Sequence, residues 1–164
     1  NGKKYVNDCL KSNWISSSGK YIRLFEEKFS RYCGKKYGIT VTSGTTALHL
    51  ALASVGIGPG DEVIMPAFLI ASPAFAVLYC GAKPVFVDSQ PDTWNIDPER
   101  IEKKITKKTK AIMLVSLQGL PVDIDPIISL AKKYNLKIIE DNAQDVLGMY
   151  KNKWWRYKFS SSNQ

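Results

Sequence analysis

Residues 56–88 read GIGPGDEVIMPAFLIASPAFAVLYCGAKPVFVD, and they contain three short apolar runs separated by turn residues. The runs at residues 63–65 and 84–87 predict strands, and the run at residues 72–79 predicts a helix that Gly81 closes. A strand, a helix and a second strand in this order are typical of the repeating unit of a parallel sheet.

The same alternation continues on both sides of this unit. Further strands are predicted at residues 37–41, 111–115 and 136–139, and further helices at residues 21–32, 45–55, 98–104 and 126–134. Asp97 and Asp125 are the predicted N-caps of the last two helices. Because the strands are apolar on both faces, the predicted fold class is α/β, with a mainly parallel sheet covered by helices. A helical segment at residues 1–33 is predicted to precede the α/β domain at residues 34–164.

The composition argues against several classes of protein. The longest apolar run, residues 67–80, is interrupted by Pro73 and falls short of the ~20 residues that span a bilayer, so no membrane segment is predicted. The three cysteines are widely spaced and odd in number, which favours a reducing cytoplasm over a disulfide framework. A single histidine, His49, and the lack of clustered Cys/His spacing argue against a metal site.

The net charge of +8 raises the alternative of nucleic-acid binding. Lysines crowd at residues 103–110 and 151–158, and the second cluster is interleaved with Trp154, Trp155 and Tyr157. Aromatic rings among cations can stack on bases, but a solvated loop and an edge strand explain the same pattern. Nucleic-acid binding is the less favoured alternative, and the charge also suits a small anionic substrate.

Ligands of open α/β sheets bind outside the carboxyl ends of the strands, so the residues that follow each strand are the first candidates for a site. Residues 42–47, TSGTTA, lead from a predicted strand into a helix. The free backbone N–H groups of the helix start, the close approach that Gly44 allows, and the hydroxyls of Ser43, Thr45 and Thr46 suit a phosphate. An ordinary helix cap explains the same residues equally well.

Two further strand ends carry candidate residues. Asp141 ends an apolar strand, where an unpaired carboxylate is costly, so it is expected to face a cation or a protonated ring nitrogen unless it is a simple turn residue. Residues 65–70, MPAFLI, offer apolar side chains that could cover one face of a flat heterocycle. Taken singly, Phe68 and Leu69 are better explained as core residues.

Together these segments resemble the DegT/DnrJ/EryC1/StrS family of pyridoxal-phosphate (PLP) sugar-nucleotide aminotransferases. The collinear motifs that carry the resemblance lie at residues 14–19, 21–26, 43–50, 56–66, 79–88, 92–99, 108–127 and 138–144. The resemblance implies the large domain of a fold-type I PLP enzyme, truncated at both ends and lacking the small C-terminal domain.

The resemblance also implies which residues contact PLP: Gly44, Thr45, Thr46, Ile70, Asp141, Gln144 and Ser162. The first three would hold the phosphate, Asp141 would pair with the pyridine nitrogen, and Gln144 would lie beside the ring near its hydroxyl. Ser162 matches a serine that contacts the phosphate. No catalytic residue is assigned, because the lysine that binds the cofactor covalently is expected beyond Gln164.

The sequence departs from the family pattern around this site. Ile70 stands where an aromatic residue normally stacks on the cofactor, Leu69 replaces a threonine, and Phe75 replaces an asparagine. Residues 116–119 read SLQG where HLYG is usual. These changes indicate a subgroup with a different pocket, or one under relaxed constraint.

By the same resemblance, the expected reaction moves an amino group, often from glutamate, to the keto group of a nucleotide-linked deoxysugar. Perosamine-synthase-like enzymes of surface polysaccharide (O-antigen) synthesis are the suggested subgroup. The full-length parent is expected to be a cytoplasmic homodimer whose active sites draw on both subunits, and this chain alone is expected to be inactive. A PLP-dependent sugar dehydratase and a non-catalytic binding or scaffold remnant are the alternatives.

Overall fold

The structure is a computed structural model that describes residues 1–146, 148–151 and 153–154. The chain divides into two compact units, Asn1–Val41 and Thr42–Gln164. Among the described residues, no helix combines the length and the apolar character that crossing a membrane requires.

The first unit contains helices α1 (Gly2–Lys11) and α2 (Lys20–Tyr32). The Tyr21 hydroxyl donates to Asp8 over 2.7 Å, and the Tyr21 ring meets Tyr5 edge-on with centroids 5.0 Å apart. These contacts hold the two helices together. They also confirm the amphipathic helix predicted at residues 21–32.

The strand predicted at residues 37–41 is wrong, because this segment forms no strand and pairs with none among the described residues. The backbone N–H and the hydroxyl of Thr40 both donate to Glu26 Oε1 over 2.8 Å. The Thr40 N–H, which would bond a neighbouring strand in a sheet, is therefore bonded to a side chain instead. Gly38 makes this close approach to α2 possible. A methyl group added to Gly38 would lie 2.8 Å from the Glu26 carbonyl oxygen.

The second unit is built on a parallel sheet of four strands: β1 (Glu62–Pro66), β2 (Lys83–Val87), β3 (Thr109–Val115) and β4 (Lys137–Asp141). Their order across the sheet is β2-β1-β3-β4, and every neighbouring pair is parallel. Two short strands, β5 (Met149–Tyr150) and β6 (Lys153–Trp154), pair antiparallel in a separate ribbon. The predicted α/β class is therefore confirmed.

Helices cover both faces of this sheet, and alternate residues of the strands separate the two cores. On one face Val63, Met65, Met113 and Ile139 pack with α3 (Gly44–Ser54) and α4 (Ser72–Tyr79). On the other face Ile64, Ile112, Leu114 and Ile138 pack with α5 (Pro98–Ile101) and α6 (Ile124–Tyr134). Strands buried on both faces explain why their sequences are continuously apolar.

Two predicted helix boundaries change in the structure. The helix predicted at residues 98–104 keeps its Asp97 cap, whose carboxylate accepts from the Glu99 N–H over 3.0 Å, but it tightens into a 3-10 turn at Glu102–Lys104. Helix α6 begins earlier than predicted, with Asp123 instead of Asp125 at its N-cap position. Asp125 is the second residue of the helix, and its carboxylate pairs with Lys151.

Candidate cofactor site

The first turn of α3 lies toward the carboxyl edge of the sheet. The helix packs on the sheet beside Ile139 and leads through a short turn into the amino end of β1. The carboxyl end of the helix therefore lies near the amino edge of the sheet, and its amino end lies toward the carboxyl edge. The N-cap is Ser43, and its hydroxyl accepts from the Thr46 N–H over 3.2 Å. In return, the Ser43 N–H donates to Thr46 Oγ1 over 3.0 Å, which completes a capping box.

The capping box occupies Ser43 and Thr46 but leaves the two residues between them available. Within the described part of the chain, the backbone N–H groups of Gly44 and Thr45 and the Thr45 hydroxyl have no hydrogen-bond partner. These donors point out of the amino end of a helix, where the helix dipole favours an anion. The ordinary cap and the anion site are therefore compatible, because different residues of the same turn provide them.

Gly44 itself has a geometry that suits a phosphate. A methyl group added at this position would meet no atom of the protein within 4 Å, and the backbone is not in the left-handed region. Neither crowding nor conformation within the chain therefore requires glycine here. A small residue leaves the space above the free N–H groups open to an anion.

Asp141 is half-buried at the end of β4. Its Oδ1 accepts from the Ala143 N–H over 3.1 Å, and its backbone carbonyl accepts from the Ser116 N–H over 3.2 Å. Among the described residues it forms no ion pair, and its Oδ2 has no partner. The carboxylate is thus held in place by one oxygen while the other remains available to a cationic ligand.

Gln144 has a structural contact that the sequence did not indicate. Its Oε1 accepts from the Gln118 N–H over 2.9 Å, which joins the loops that follow β4 and β3. The Gln118 backbone is left-handed, with φ of 49°. Gln144 therefore holds the loop of the unusual SLQG motif next to the end of β4.

The apolar residues after β1 separate into two environments. Leu69 packs partly buried against the core, as predicted, whereas Ile70 is 64% exposed and faces away from it. The core interpretation of Phe68 is wrong, because its ring is exposed and contacts Trp94 instead. Ser162 lies outside the described residues.

Three buried polar atoms cluster in the segments that follow β3 and β4. Ser116 Oγ, Asn142 Oδ1 and Asp145 Oδ2 are shielded from solvent and have no hydrogen-bond partner among the described residues. Burial raises the pKa of the Asp145 carboxyl. Buried unpaired groups are uncommon in folded proteins, so this edge of the sheet is suited to a polar ligand. Sequence reasoning missed Asp145, since nothing local to it signals burial.

The described residues contain no group of three or more His, Cys, Asp or Glu side chains that could hold a metal ion. What they provide at one edge of a parallel α/β sheet is a helix amino end with free N–H donors and a strand-end carboxylate. This combination is compatible with the large, cofactor-binding domain of PLP-dependent enzymes, in which an acidic residue pairs with the ring nitrogen of the cofactor.

A sequence model of the DegT/DnrJ/EryC1/StrS aminotransferase family matches residues 1–155, and the chain belongs to this family. PLP is the cofactor of these enzymes. The chain is 50% identical over 153 residues to GDP-perosamine synthase of Caulobacter vibrioides, in a match that covers 93% of the chain and 41% of that relative.

Solved structures agree with this assignment. DesV from S. venezuelae superposes with a TM-score of 0.83 at 37% identity, covering 92% of this chain and 42% of its own. A Streptococcus pneumoniae protein solved in its PLP form superposes with a TM-score of 0.82 at 34% identity, again covering 92% and 42%. The chain therefore spans about two fifths of the length of the proteins that it matches.

Proposed function

We propose that this chain is the cofactor-binding part of a PLP-dependent sugar-nucleotide aminotransferase. The observation that carries the proposal is the pair of complementary groups at the carboxyl edge. The free donors of Gly44 and Thr45 suit the phosphate of PLP, and the free oxygen of Asp141 suits its protonated pyridine nitrogen.

The contacts of α3 and Asp141 are proposed from the local geometry, and those of Gln144, Ile70 and Ser162 from the family resemblance. The first turn of α3, including Thr46 through its part in the capping box, binds the phosphate and so anchors one end of the cofactor. Asp141 keeps a proton on the ring nitrogen, because an ionised carboxylate stabilises a cation beside it. Gln144 lies next to the ring, Ile70 packs on one face of it, and Ser162 adds a phosphate contact. When bound, PLP supplies a ring that accepts electrons from the substrate carbon.

The proposed substrates are an amino donor, glutamate, and a nucleotide-linked deoxysugar that carries a keto group. The support is the 50% identity to a protein named GDP-perosamine synthase and the net charge of +8, which favours an anionic ligand. We place the reaction in surface polysaccharide synthesis in the cytoplasm. The three free thiols at Cys9, Cys33 and Cys80 are consistent with that compartment.

The full-length protein is proposed to be a homodimer. The first unit supports this, because an apolar cleft of about 610 Å³ opens between its own two helices. Tyr5, Leu10, Trp14 and Ile15 line this cleft and are half or more exposed. Exposed apolar patches of this kind mark surfaces that associate with protein.

The test is a calorimetric titration of the 164-residue chain with pyridoxamine phosphate, the amine form of the cofactor. The amine form is chosen because it cannot condense with the many surface lysines, so the binding that is measured is noncovalent. Asp141→Asn and Thr45→Ala are each expected to weaken saturable binding by roughly tenfold, the usual cost of a lost charge-assisted hydrogen bond.

Asp92→Asn is the matched control, since Asp92 is exposed on a different loop. It should bind pyridoxamine phosphate like the unmodified chain. Equal affinities for the Asp141 and Asp92 variants, or no saturable binding by a folded chain, would refute the proposal.

A further inference from the structure

A second cavity, of about 480 Å³, opens at the carboxyl edge of the sheet. It is lined by Phe68, Thr93, Trp94, Leu117, Gln118 and Leu120. These residues lie on the loops that follow β1, β2 and β3, and one of them, Gln118, is bonded to Gln144 of the candidate cofactor site. Its volume lies within the range of about 300–1,000 Å³ that is usual for small-molecule sites.

Two aromatic rings form a wall of this cavity. Phe68 is 51% exposed and Trp94 is 55% exposed, although both are large and apolar. Their ring centroids are 5.2 Å apart, with the planes tilted by 50°. Neither ring belongs to the two buried cores of the unit. The cavity thus presents flat apolar faces to solvent in a place where folding does not need them.

Two of the five described non-glycine residues with positive φ line the same cavity. Trp94 has φ of 59° and Gln118 has φ of 49°, in the left-handed region that bulky side chains disfavour. The Trp94 N–H donates to the Gln90 carbonyl over 3.0 Å, and the Gln118 N–H donates to Gln144. Strained residues that are held in place by surrounding bonds cluster at ligand sites, and here two of them line one cavity.

One buried side chain fixes both strained loops. Asn95, which is 1% exposed, accepts from the Leu117 N–H over 3.2 Å and donates to the Leu120 carbonyl over 3.0 Å. Its own backbone carbonyl accepts from the Gln90 N–H over 2.9 Å. The loop that carries Trp94 is therefore locked to the loop that carries Gln118, and the cavity between them is preformed.

We propose that this cavity binds the base of the nucleotide-linked sugar, with the base against the Trp94 ring; the inference rests on the proposed function. Bases stack on aromatic side chains through their flat π faces, and the exposed Trp94 ring offers such a surface. The Gln118 amide supplies donors and an acceptor for the polar edge of a base. None of the six lining residues is charged, so the cavity suits the uncharged base, and no acidic side chain in it repels the phosphates of the same ligand.

The experiment is a titration of the 164-residue chain with GDP, UDP and dTDP, and with pyrophosphate as a probe that lacks a base. Trp94→Ala is expected to weaken binding of the best nucleotide by roughly tenfold or more, the usual effect of losing one stacked base. Trp94→Phe keeps a ring and should retain most of the affinity. Tyr37→Ala removes an aromatic ring of the other unit that is even more exposed, at 75%, and should change nothing. Weak binding of pyrophosphate should not respond to Trp94→Ala.

Phe68→Ala provides a second test that leaves the strained backbone intact, and it should also weaken nucleotide binding. Equal nucleotide affinity in the Trp94→Ala, Phe68→Ala and Tyr37→Ala chains would overturn the proposal, as would the absence of nucleotide binding. Pyridoxamine phosphate titrated into the same variants separates the two proposals. Binding of pyridoxamine phosphate without nucleotide binding overturns the base site alone, and the reverse result supports the base site while removing the proposed cofactor function.

Discussion

Replacing Asn95 by alanine should destabilise the second unit strongly. The side chain is buried and bonds the Leu117 N–H and the Leu120 carbonyl, so the variant leaves the buried Leu117 N–H without a partner and removes a donor from the part-buried Leu120 carbonyl. A buried polar group that loses its partner costs about 1–3 kcal/mol, which is the expected loss at Leu117, and the part-buried Leu120 carbonyl adds less. Since a domain is typically stable by about 5–15 kcal/mol, this is a large share of the free energy of unfolding.

The assay is urea denaturation followed by circular dichroism, combined with hydrogen exchange of the peptide that contains residues 116–121. Asn95→Ala should lower the unfolding free energy and expose the Leu117 amide to exchange. Asn95→Asp keeps the acceptor for Leu117 and should preserve more of that protection. Asn7→Ala, at an exposed position of α1, is the control and should change the free energy by no more than about 0.5 kcal/mol. A loss below about 1 kcal/mol in Asn95→Ala, with unchanged exchange, would contradict the assigned role.

Two further predictions concern single positions. Burial raises the pKa of Asp145 above its ordinary 3.8 in the folded state, so the folded chain holds this proton more tightly and stability should fall as pH rises from about 4 through the raised value. Asp145→Asn should flatten that dependence in thermal melts recorded from pH 4 to 7, and a slope that persists unchanged would count against the burial effect. Gly38→Ala should destabilise the first unit by about 1–3 kcal/mol, because the added methyl group lies 2.8 Å from the Glu26 carbonyl oxygen. Gly58→Ala, where the methyl group meets open space, should be close to neutral in the same melts.

The central strands β1 and β3 were predictable because both of their faces are buried and their sequences are therefore mostly apolar, and the less buried edge strands β2 and β4 each still contain a short apolar run. The predictions that were wrong concern segments held by residues far away in the sequence. The supposed strand at residues 37–41 is held by Glu26 instead of another strand, and the Asp125 carboxylate is taken by Lys151. Neither partner is visible in a local pattern of residues.

Some residues of the candidate site could likewise be predicted from the sequence and others could not. Gly44 and Asp141 could be chosen from the sequence, because the rule that ligands bind at strand ends assigns a place to the residues after each strand. Asn95 and Asp145 could not, since their importance comes from burial of a polar group. Burial of that kind is a property of the assembled loops, and only the structure shows it.

The parallel order β2-β1-β3-β4 has a consequence for how the chain is made. No two neighbouring strands can pair as a hairpin, so every pairing closes a long loop and must wait for a helix to be synthesised in between. Strand β1 ends at Pro66, but its first partner is complete only at Val87. The roughly 20 residues between these points take about one to four seconds at a ribosome, and during that time the nascent β1 is an apolar strand without a partner and a target for chaperones.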